Sequence, residues 1–202
     1  MRGLPACCVA GLVAAIATDR AIEAGVLLDY GYVESFGDAA IVRGEGGEAF
    51  GFSQYQSFYV ADEAWRIDSV TVHLRLFDAV SVGDVEFAVY NADGLLPDLT
   101  GPITPGVSAG VGSMSTAAVS VDLGGIVFGT GEYYIGLRAV DPATNVLWMP
   151  GETPAARHAV RSDGRVFTWY NPALSMTIAG EVVPAPAGVL LLAGVGVFRR
   201  RR

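Results

Sequence analysis

The stretch Val70-Thr71-Val72-His73-Leu74-Arg75-Leu76 decides the fold class, because apolar and polar residues alternate along its whole length. Successive side chains of a strand point to opposite faces, so the alternation predicts a strand with one buried and one polar face. Val85, Phe87 and Val89 repeat the pattern, and the turn residues Asn91-Ala92-Asp93-Gly94 follow them. We therefore expect a sheet whose strands are joined by tight turns.

Further strand-like segments run along the second half of the chain. They cover residues 119–123, 132–139, 146–149, 160–170 and 174–179. The segment 160–170 contains the turn Ser162-Asp163-Gly164, and Leu174, Met176 and Ile178 share one face of the last segment. Two glycine-rich stretches, 37–51 and 95–116, lack this pattern, and we expect the second to be a long surface loop.

These segments together predict an all-β fold, an antiparallel β-sandwich in a single domain that covers residues 25–181. A jelly roll of eight strands is the preferred architecture, and an immunoglobulin-like sandwich is the alternative. Residues 74–76, 87–91, 94–97 and 131–137 also resemble the sandwich ectodomains that are fused to bacterial surface-anchoring tails. That resemblance implies a fold but no chemistry, because unrelated functions share one fold.

Residues 1–24 have the features of a secretory signal peptide with a signal helix. Met1-Arg2 is a positive start, residues 4–17 are apolar and uncharged, and small residues permit cleavage after Ala17 or after Ala24. Both cysteines, Cys7 and Cys8, lie in this segment. The exported domain would then contain no disulfide, no thiolate nucleophile and no cysteine metal site.

Residues 182–202 have the order of a sorting signal. The motif Val183-Pro184-Ala185-Pro186-Ala187-Gly188 precedes an apolar run at 187–198, and the chain ends in Arg199, Arg200, Arg201 and Arg202. The apolar run can enter a bilayer and four arginines resist following it across, which predicts a cytoplasmic C-terminus. As a helix the run is roughly 18 Å long against a hydrocarbon core of about 30 Å, so it predicts a short transmembrane helix. A helix docked on the domain is the alternative.

This arrangement resembles the PEP-CTERM sorting tail of Gram-negative bacterial envelope proteins. In that family an exosortase, a membrane-embedded cysteine transpeptidase or protease, recognises the motif and releases or transfers the exported part. Ala185 stands where the usual motif has glutamate, so the chain is closer to the Val-Pro-x-Pro-Ala type. The resemblance implies export by the secretion machinery, transient insertion in the inner membrane, and action of an exosortase-like enzyme near Pro184-Ala185-Pro186.

The charge of the chain excludes several classes of partner. All 13 basic residues are arginines, and residues 25–186 contain 19 acidic and 7 basic residues, a net charge of −12. Nucleic acids and anionic lipids require the opposite sign, so neither is an expected partner. The acidic surface fits a soluble extracellular domain.

No catalytic motif stands out in the sequence, and we predict that the protein is not an enzyme. His73 and His158 lie far apart without the companion residues of a metal site, and no nucleophile-elbow or phosphate-binding motif is present. Asp84 and Glu86 can face one way on a strand and imitate a carboxylate pair. An extracellular hydrolase, which would require a cleft lined by carboxylates, is the third hypothesis for the function.

The residues Asn91, Asp93 and Asp98 raise the question of a structural calcium ion. They provide oxygen donors near one turn, but the spacing lacks the further acidic ligands of a calcium loop. Turn chemistry alone explains Asn and Asp before glycine. We therefore predict no cofactor and leave structural calcium as the alternative.

The sequence indicates a candidate ligand surface at three aromatic residues, Trp148, Trp169 and Tyr170. Exposed aromatic rings on a sheet can stack on the apolar face of a sugar, whereas buried ones fill the core. Trp169 and Tyr170 are adjacent in a strand and must point to opposite faces. The three residues are therefore candidate glycan contacts.

Taken together, the sequence predicts an exported cell-surface or extracellular-matrix protein with a non-catalytic structural or adhesive role, as in a biofilm matrix. The expected location is first the inner membrane and then the outer surface or the medium. The alternative function is a carbohydrate-binding module that holds exopolysaccharide through its aromatic residues.

Overall fold

A computed structural model describes residues 25–44, 51–81, 83–153, 156–171 and 173–184. These residues form strands and turns, with no helix among them, and every named strand pair is antiparallel. The all-β antiparallel prediction is thus confirmed. The strands are β1 (Gly25–Asp29), β2 (Ala40–Arg43), β3 (Phe52–Val60), β4 (Ala64–Leu76), β5 (Asp84–Asp93), β6 (Leu96–Pro97), β7 (Val107–Gly110), β8 (Ala117–Phe128), β9 (Gly131–Ala139), β10 (Asn145–Trp148), β11 (Ala156–Ser162), β12 (Arg165–Asn171) and β13 (Thr177–Val183).

Strand β4 organises one half of the sheet. It pairs with β8 along one edge, and along the other edge with β13 and then with β10. Its alternating pattern is confirmed, because Val70, Val72 and Leu74 are fully buried while Thr71 and His73 remain partly accessible. The outermost strand of this half is β1, which pairs with β13.

Strands β3, β9 and β5 form the centre of the other half. Strand β9 lies between β3 and β5, β11 pairs with the remaining edge of β3, and β12 pairs with β11. Strands β6 and β7 both pair with β5. The two halves are joined through β10 and β2, since β10 pairs with both β4 and β2 and Arg43 of β2 pairs with Phe52 of β3.

Two apolar clusters cover the two faces of the β3–β9–β5 half. The main core combines side chains from both halves, such as Val72 of β4 with Phe87 of β5 and Leu137 of β9. The second cluster lies on the opposite face, where Tyr55, Ala88, Tyr90, Tyr134 and Ala159 pack together. Both faces of these central strands are therefore buried.

Strand β3 is the main element that the sequence pattern did not predict. Its sequence Phe52-Ser53-Gln54-Tyr55-Gln56-Ser57-Phe58-Tyr59-Val60 places glutamines at positions that face inward. Gln54 and Gln56 are 4% and 0% exposed and are held by hydrogen bonds to backbone groups. Buried amides interrupt the apolar alternation on which the prediction depends. Strands β1 and β2 were also not predicted.

The stretch 95–116 is less loop-like than expected. It contains β6 and β7, and its residues Thr104 and Val111 are buried. The Thr104 hydroxyl accepts a hydrogen bond from the Val89 amide at 3.0 Å, which ties the stretch to β5. The expected turn at 91–94 also lies slightly later, because β5 extends to Asp93 and pairs it with Leu96.

The segment 160–170 is divided at its internal turn into β11 and β12. Asp163 and Gly164 both have positive φ, 50° and 69°, as a tight two-residue hairpin turn of type I′ requires. Ser162 and Arg165 are paired on either side of this turn.

Candidate functional site

The predicted sorting motif begins inside the last strand. Val183 ends β13 and pairs with Ala64, and Pro184 is the last described residue. Strand β1 begins at Gly25, which pairs with Gly180 of β13. The remaining motif residues Ala185, Pro186, Ala187 and Gly188, the four terminal arginines, and the signal segment 1–24 lie outside the described residues. Within the described part of the chain, no helix has the length and apolar character needed to span a membrane.

Trp148 is a core residue, which corrects its prediction as a glycan contact. Its side chain is fully buried, and the indole Nε1 donates a hydrogen bond to the Ser175 carbonyl at 2.8 Å. Strand β10 lies between β4 and β2, and Val146, Leu147 and Trp148 are all buried, so neither face of this strand is a surface.

Trp169 and Tyr170 lie in β12, where their backbones pair with His158 and Arg157. Their side chains are outside the described part of the structure, so their role as glycan contacts stays a prediction.

The two histidines occupy separate environments. His73 stacks on Tyr32 with ring centroids 4.4 Å apart, and its partial burial lowers the pKa, an effect that the nearby Asp29 opposes. His158 of β11 is 7% exposed, and burial lowers its pKa as well. Both imidazoles are therefore neutral at pH 7.

A pocket lies where β2, β3 and β11 meet. We call it the Gln54–His158 pocket; it is bounded by the segment 37–41 on one side and by Phe52, Gln54, His158 and Val160 on the other. Its volume is about 330 Å³. Val160 pairs with Gln54 across the two strands, which brings His158 next to the glutamine side chain. Apolar walls with a few convergent polar groups are typical of small-molecule sites.

Two buried polar atoms of this pocket have no hydrogen-bond partner among the described residues. The Gln54 amide donates from Nε2 to the Ile41 carbonyl at 2.7 Å, but its Oε1 accepts nothing, and the His158 Nδ1 is also unpaired. In Gln56, two residues further along the same strand, both ends of the buried amide are hydrogen-bonded, as is usual. Its Nε2 donates to the Arg157 carbonyl at 3.0 Å, and its Oε1 accepts from the Leu174 amide at 2.8 Å. Leaving a buried polar atom unpaired costs about 1–3 kcal/mol, so the exception is informative.

Arginine side chains gather on the opposite face of the same strands. Arg43, Arg138 and Arg161 line a second pocket of about 300 Å³, together with Ser53 and Asp163. Arg138 pairs with Glu86 of the neighbouring strand at 2.6 Å, and this hydrogen bond raises the arginine pKa further. Ser53 directly precedes Gln54 in β3, and neighbouring side chains of a strand point to opposite faces, so Ser53 and Gln54 place the arginine pocket and the Gln54–His158 pocket on different faces of β3.

Sequence comparison adds no assignment to this geometry, since no protein-family model and no curated protein matches the chain. The Gln54–His158 pocket was not found from the sequence. Its residues come from three segments that are more than a hundred positions apart at the extremes, and no local motif marks them.

Asp98, one of the candidate calcium ligands, uses its carboxylate in hydrogen bonds within the chain. The Asp98 carboxylate accepts hydrogen bonds from the Thr100 hydroxyl and amide at 2.7 Å and 3.0 Å, and these bonds lower its pKa. Among the described residues, no group of three or more His, Cys, Asp or Glu side chains is placed to hold a metal ion. The absence of a cofactor stays a prediction, and structural calcium at Asn91, Asp93 and Asp98 stays its alternative.

The buried His158 should make the protein less stable in mild acid. The unfolded chain takes up a proton at this residue near pH 6.5, whereas the folded chain resists it because burial lowers the pKa. Stability is therefore complete above about pH 6.5 and is lost as the pH falls toward the folded pKa, by at most about 1.4 kcal/mol per pH unit for one proton. Urea unfolding at several pH values between about 5 and 7.5 measures this slope.

His158→Gln should reduce the dependence of the unfolding free energy on pH. His73→Gln is the matched control, because His73 is more accessible and has the carboxylate of Asp29 nearby. Equal slopes for the wild type and His158→Gln would show that His158 titrates normally.

Proposed function

We propose that this chain is an exported, non-catalytic surface or extracellular-matrix protein that an exosortase-like membrane enzyme sorts through its C-terminal tail. The observation that supports this best is the pairing of Gly25 with Gly180. Because β1 and β13 are antiparallel, the start of β1 at Gly25 and the end of β13 at Val183 lie at the same end of the sheet. A domain with both ends attached on one side can be held at the membrane by its leader and its tail together.

We also propose that the sheet folds over as a two-layered, jelly-roll-like sandwich. The main core supports this, since it contains side chains of β4, β8 and β13 together with those of β3, β5 and β9. Such an arrangement needs two apolar faces that meet. Burial of Val72 and Phe87 in one cluster is the pattern expected for facing layers.

A non-catalytic role is consistent with how several carboxylates are used. Glu86, Glu132 and Glu181 each form an ion pair with an arginine, at 2.6 Å, 3.0 Å and 2.9 Å. Glu86 belongs to the Asp84 and Glu86 pair that can imitate a hydrolase's two carboxylates, and its ion pair with Arg138 supports a structural role. This weakens the hydrolase alternative and favours the structural one.

Deleting Arg199–Arg202 should abolish normal processing of the chain. The intact mass of the protein and its distribution between cell fractions are the measurements. The wild type is expected outside the cell, without the leader and without the residues after the Pro-Ala-Pro motif. The deletion variant is expected to lose this mature form, because the basic cluster that stops the tail in the membrane is absent.

Pro184→Ala is a second variant, which alters the motif and leaves the apolar run and the basic cluster intact. Full-length wild-type protein in the membrane fraction, unchanged by either variant, would contradict the sorting proposal. The tail would then act as a plain anchor or as a docked helix.

The carbohydrate-binding alternative keeps its place as the second candidate function. The observation in its favour is no longer Trp148, which is buried, but the unpaired polar atoms of the Gln54–His158 pocket.

A further inference from the structure

The Gln54–His158 pocket contains polar atoms that the rest of the described protein leaves unused. Gln54 is 4% exposed and His158 is 7% exposed, so neither side chain is freely solvated. Gln54 Oε1 is a hydrogen-bond acceptor in every state of the amide. His158 Nδ1 belongs to a neutral imidazole, which can accept or donate one hydrogen bond there. A ligand that satisfies both atoms must therefore carry at least one donor and a second adaptable polar group.

We infer that this pocket binds one uncharged sugar ring. Both atoms have almost no accessible surface, so binding requires the two side chains to turn toward the pocket. Adjacent hydroxyl groups are each donor and acceptor, so one can then donate to Gln54 Oε1 while its neighbour bonds to His158 Nδ1. Asp38 also lines the pocket, and its carboxylate can accept from a third hydroxyl. Phe52, Ile41 and Val160 line it as apolar groups that fit the carbon face of a pyranose.

The size of the pocket limits the ligand to a single ring. Sites for small molecules span roughly 300–1,000 Å³, and this one is near the lower end at about 330 Å³. The site therefore fits the end, or one unit, of a longer glycan. It is a different surface from Trp148, Trp169 and Tyr170, the residues predicted from the sequence as glycan contacts.

The charges around the pocket favour a neutral sugar over an acidic one. The pocket's charged lining residue is Asp38, which would repel a uronic acid. Arg138 and Arg161 lie in the arginine pocket on the opposite face of β3 and cannot reach a ligand here. The inference deepens the adhesive role proposed above and rests on it for the source of the sugar, a matrix polysaccharide.

Saturation-transfer NMR on the full-length chain is the test. The chain is kept in a zwitterionic detergent without a sugar head group, so that the detergent cannot compete. The probes are the methyl glycosides of glucose, galactose, mannose and N-acetylglucosamine, with glucuronate as the acidic probe and choline as the cationic probe. We expect transfer to at least one neutral glycoside, with a dissociation constant in the millimolar range for a single ring held by few hydrogen bonds.

Two variants address the pocket by different means. Gln54→Met keeps the length of the side chain but removes the unpaired acceptor together with the donor to the Ile41 carbonyl. Ala39→Leu fills the pocket and removes no hydrogen bond. Both should weaken binding about tenfold or more. Arg161→Ser in the arginine pocket is the matched control and should leave binding unchanged. The thermal midpoint of each variant shows that it is folded.

Three outcomes would overturn the inference. The first is the absence of transfer to every neutral glycoside, which would leave water as the partner of the two atoms. The second is binding that neither Gln54→Met nor Ala39→Leu weakens. The third is a preference for glucuronate or choline. None of these results changes the processing experiment on the tail, so failure of sugar binding and failure of the sorting proposal can be told apart.

Discussion

Replacing Trp148 with alanine is expected to lower the free energy of unfolding by about 3–5 kcal/mol. The side chain is fully buried in the main core, and its removal leaves a cavity among residues of several strands. The Ser175 carbonyl also loses the hydrogen bond that the indole donates at 2.8 Å. A domain of this size has about 5–15 kcal/mol of stability in total, so the change is a large part of it. Urea unfolding followed by far-ultraviolet circular dichroism measures the difference without depending on tryptophan fluorescence.

Trp148→Phe is the matched control, because it keeps most of the buried volume and removes the hydrogen bond. We expect it to cost about 1–2 kcal/mol, clearly less than alanine. If alanine instead changed the unfolding free energy by less than about 0.5 kcal/mol, the value typical of surface sites, Trp148 would not be a core residue. Its prediction as a glycan contact would then be open again.

Strand β4 could be predicted because it has a buried face beside a more polar one. Its inward residues Val70 and Val72 are separated by the more polar Thr71, so period two is visible in the sequence, whereas β5 shows it only around Glu86 because residues 87–90 are all buried. The same rule fails for β10. Residues 146–148 of this four-residue strand are all buried, so no alternation in the sequence shows that Trp148 is a core residue.

Strand β3 and the Gln54–His158 pocket could not be predicted for a related reason. In a sequence, glutamine normally indicates a surface position. Only the folded chain shows that Gln56 is hydrogen-bonded to carbonyl and amide groups about a hundred positions away. Gln54 differs from Gln56 by a single unpaired oxygen. Such a difference depends on how β2, β3 and β11 meet, and long-range packing of this kind leaves no local pattern.

The sequence pattern also did not reveal why glycine occupies position 180. Glycine in a strand often marks a bulge or a close approach of another backbone. Both occur here, because the pairing of β13 with β4 shifts register between Ala179 and Gly180 and the Arg66 carbonyl lies directly against the glycine.

Gly180→Ala is accordingly expected to cost about 3 kcal/mol of stability. A Cβ at this position would overlap the Arg66 carbonyl oxygen and would approach the Ile67 Cα to 3.0 Å. These are backbone atoms of the central strand β4, so they cannot move aside as the end of a flexible side chain would. The strand β13 must then separate from β4, and β1, which pairs with β13, should loosen with it. Urea unfolding and amide hydrogen exchange of residues 177–183 measure the two effects.

Gly25→Ala is the matched control, since Gly25 is the register partner of Gly180. A Cβ there meets only the Gly180 carbonyl oxygen, at 3.9 Å, and the change should stay within about 0.5 kcal/mol. Equal effects of the two substitutions would show that β13 does not approach β4 so closely. A large effect confined to Gly180→Ala would show that the strand leading into the predicted sorting motif is locked to the core through its glycine. The tail of a folded domain would then be presented from one fixed edge of the sheet.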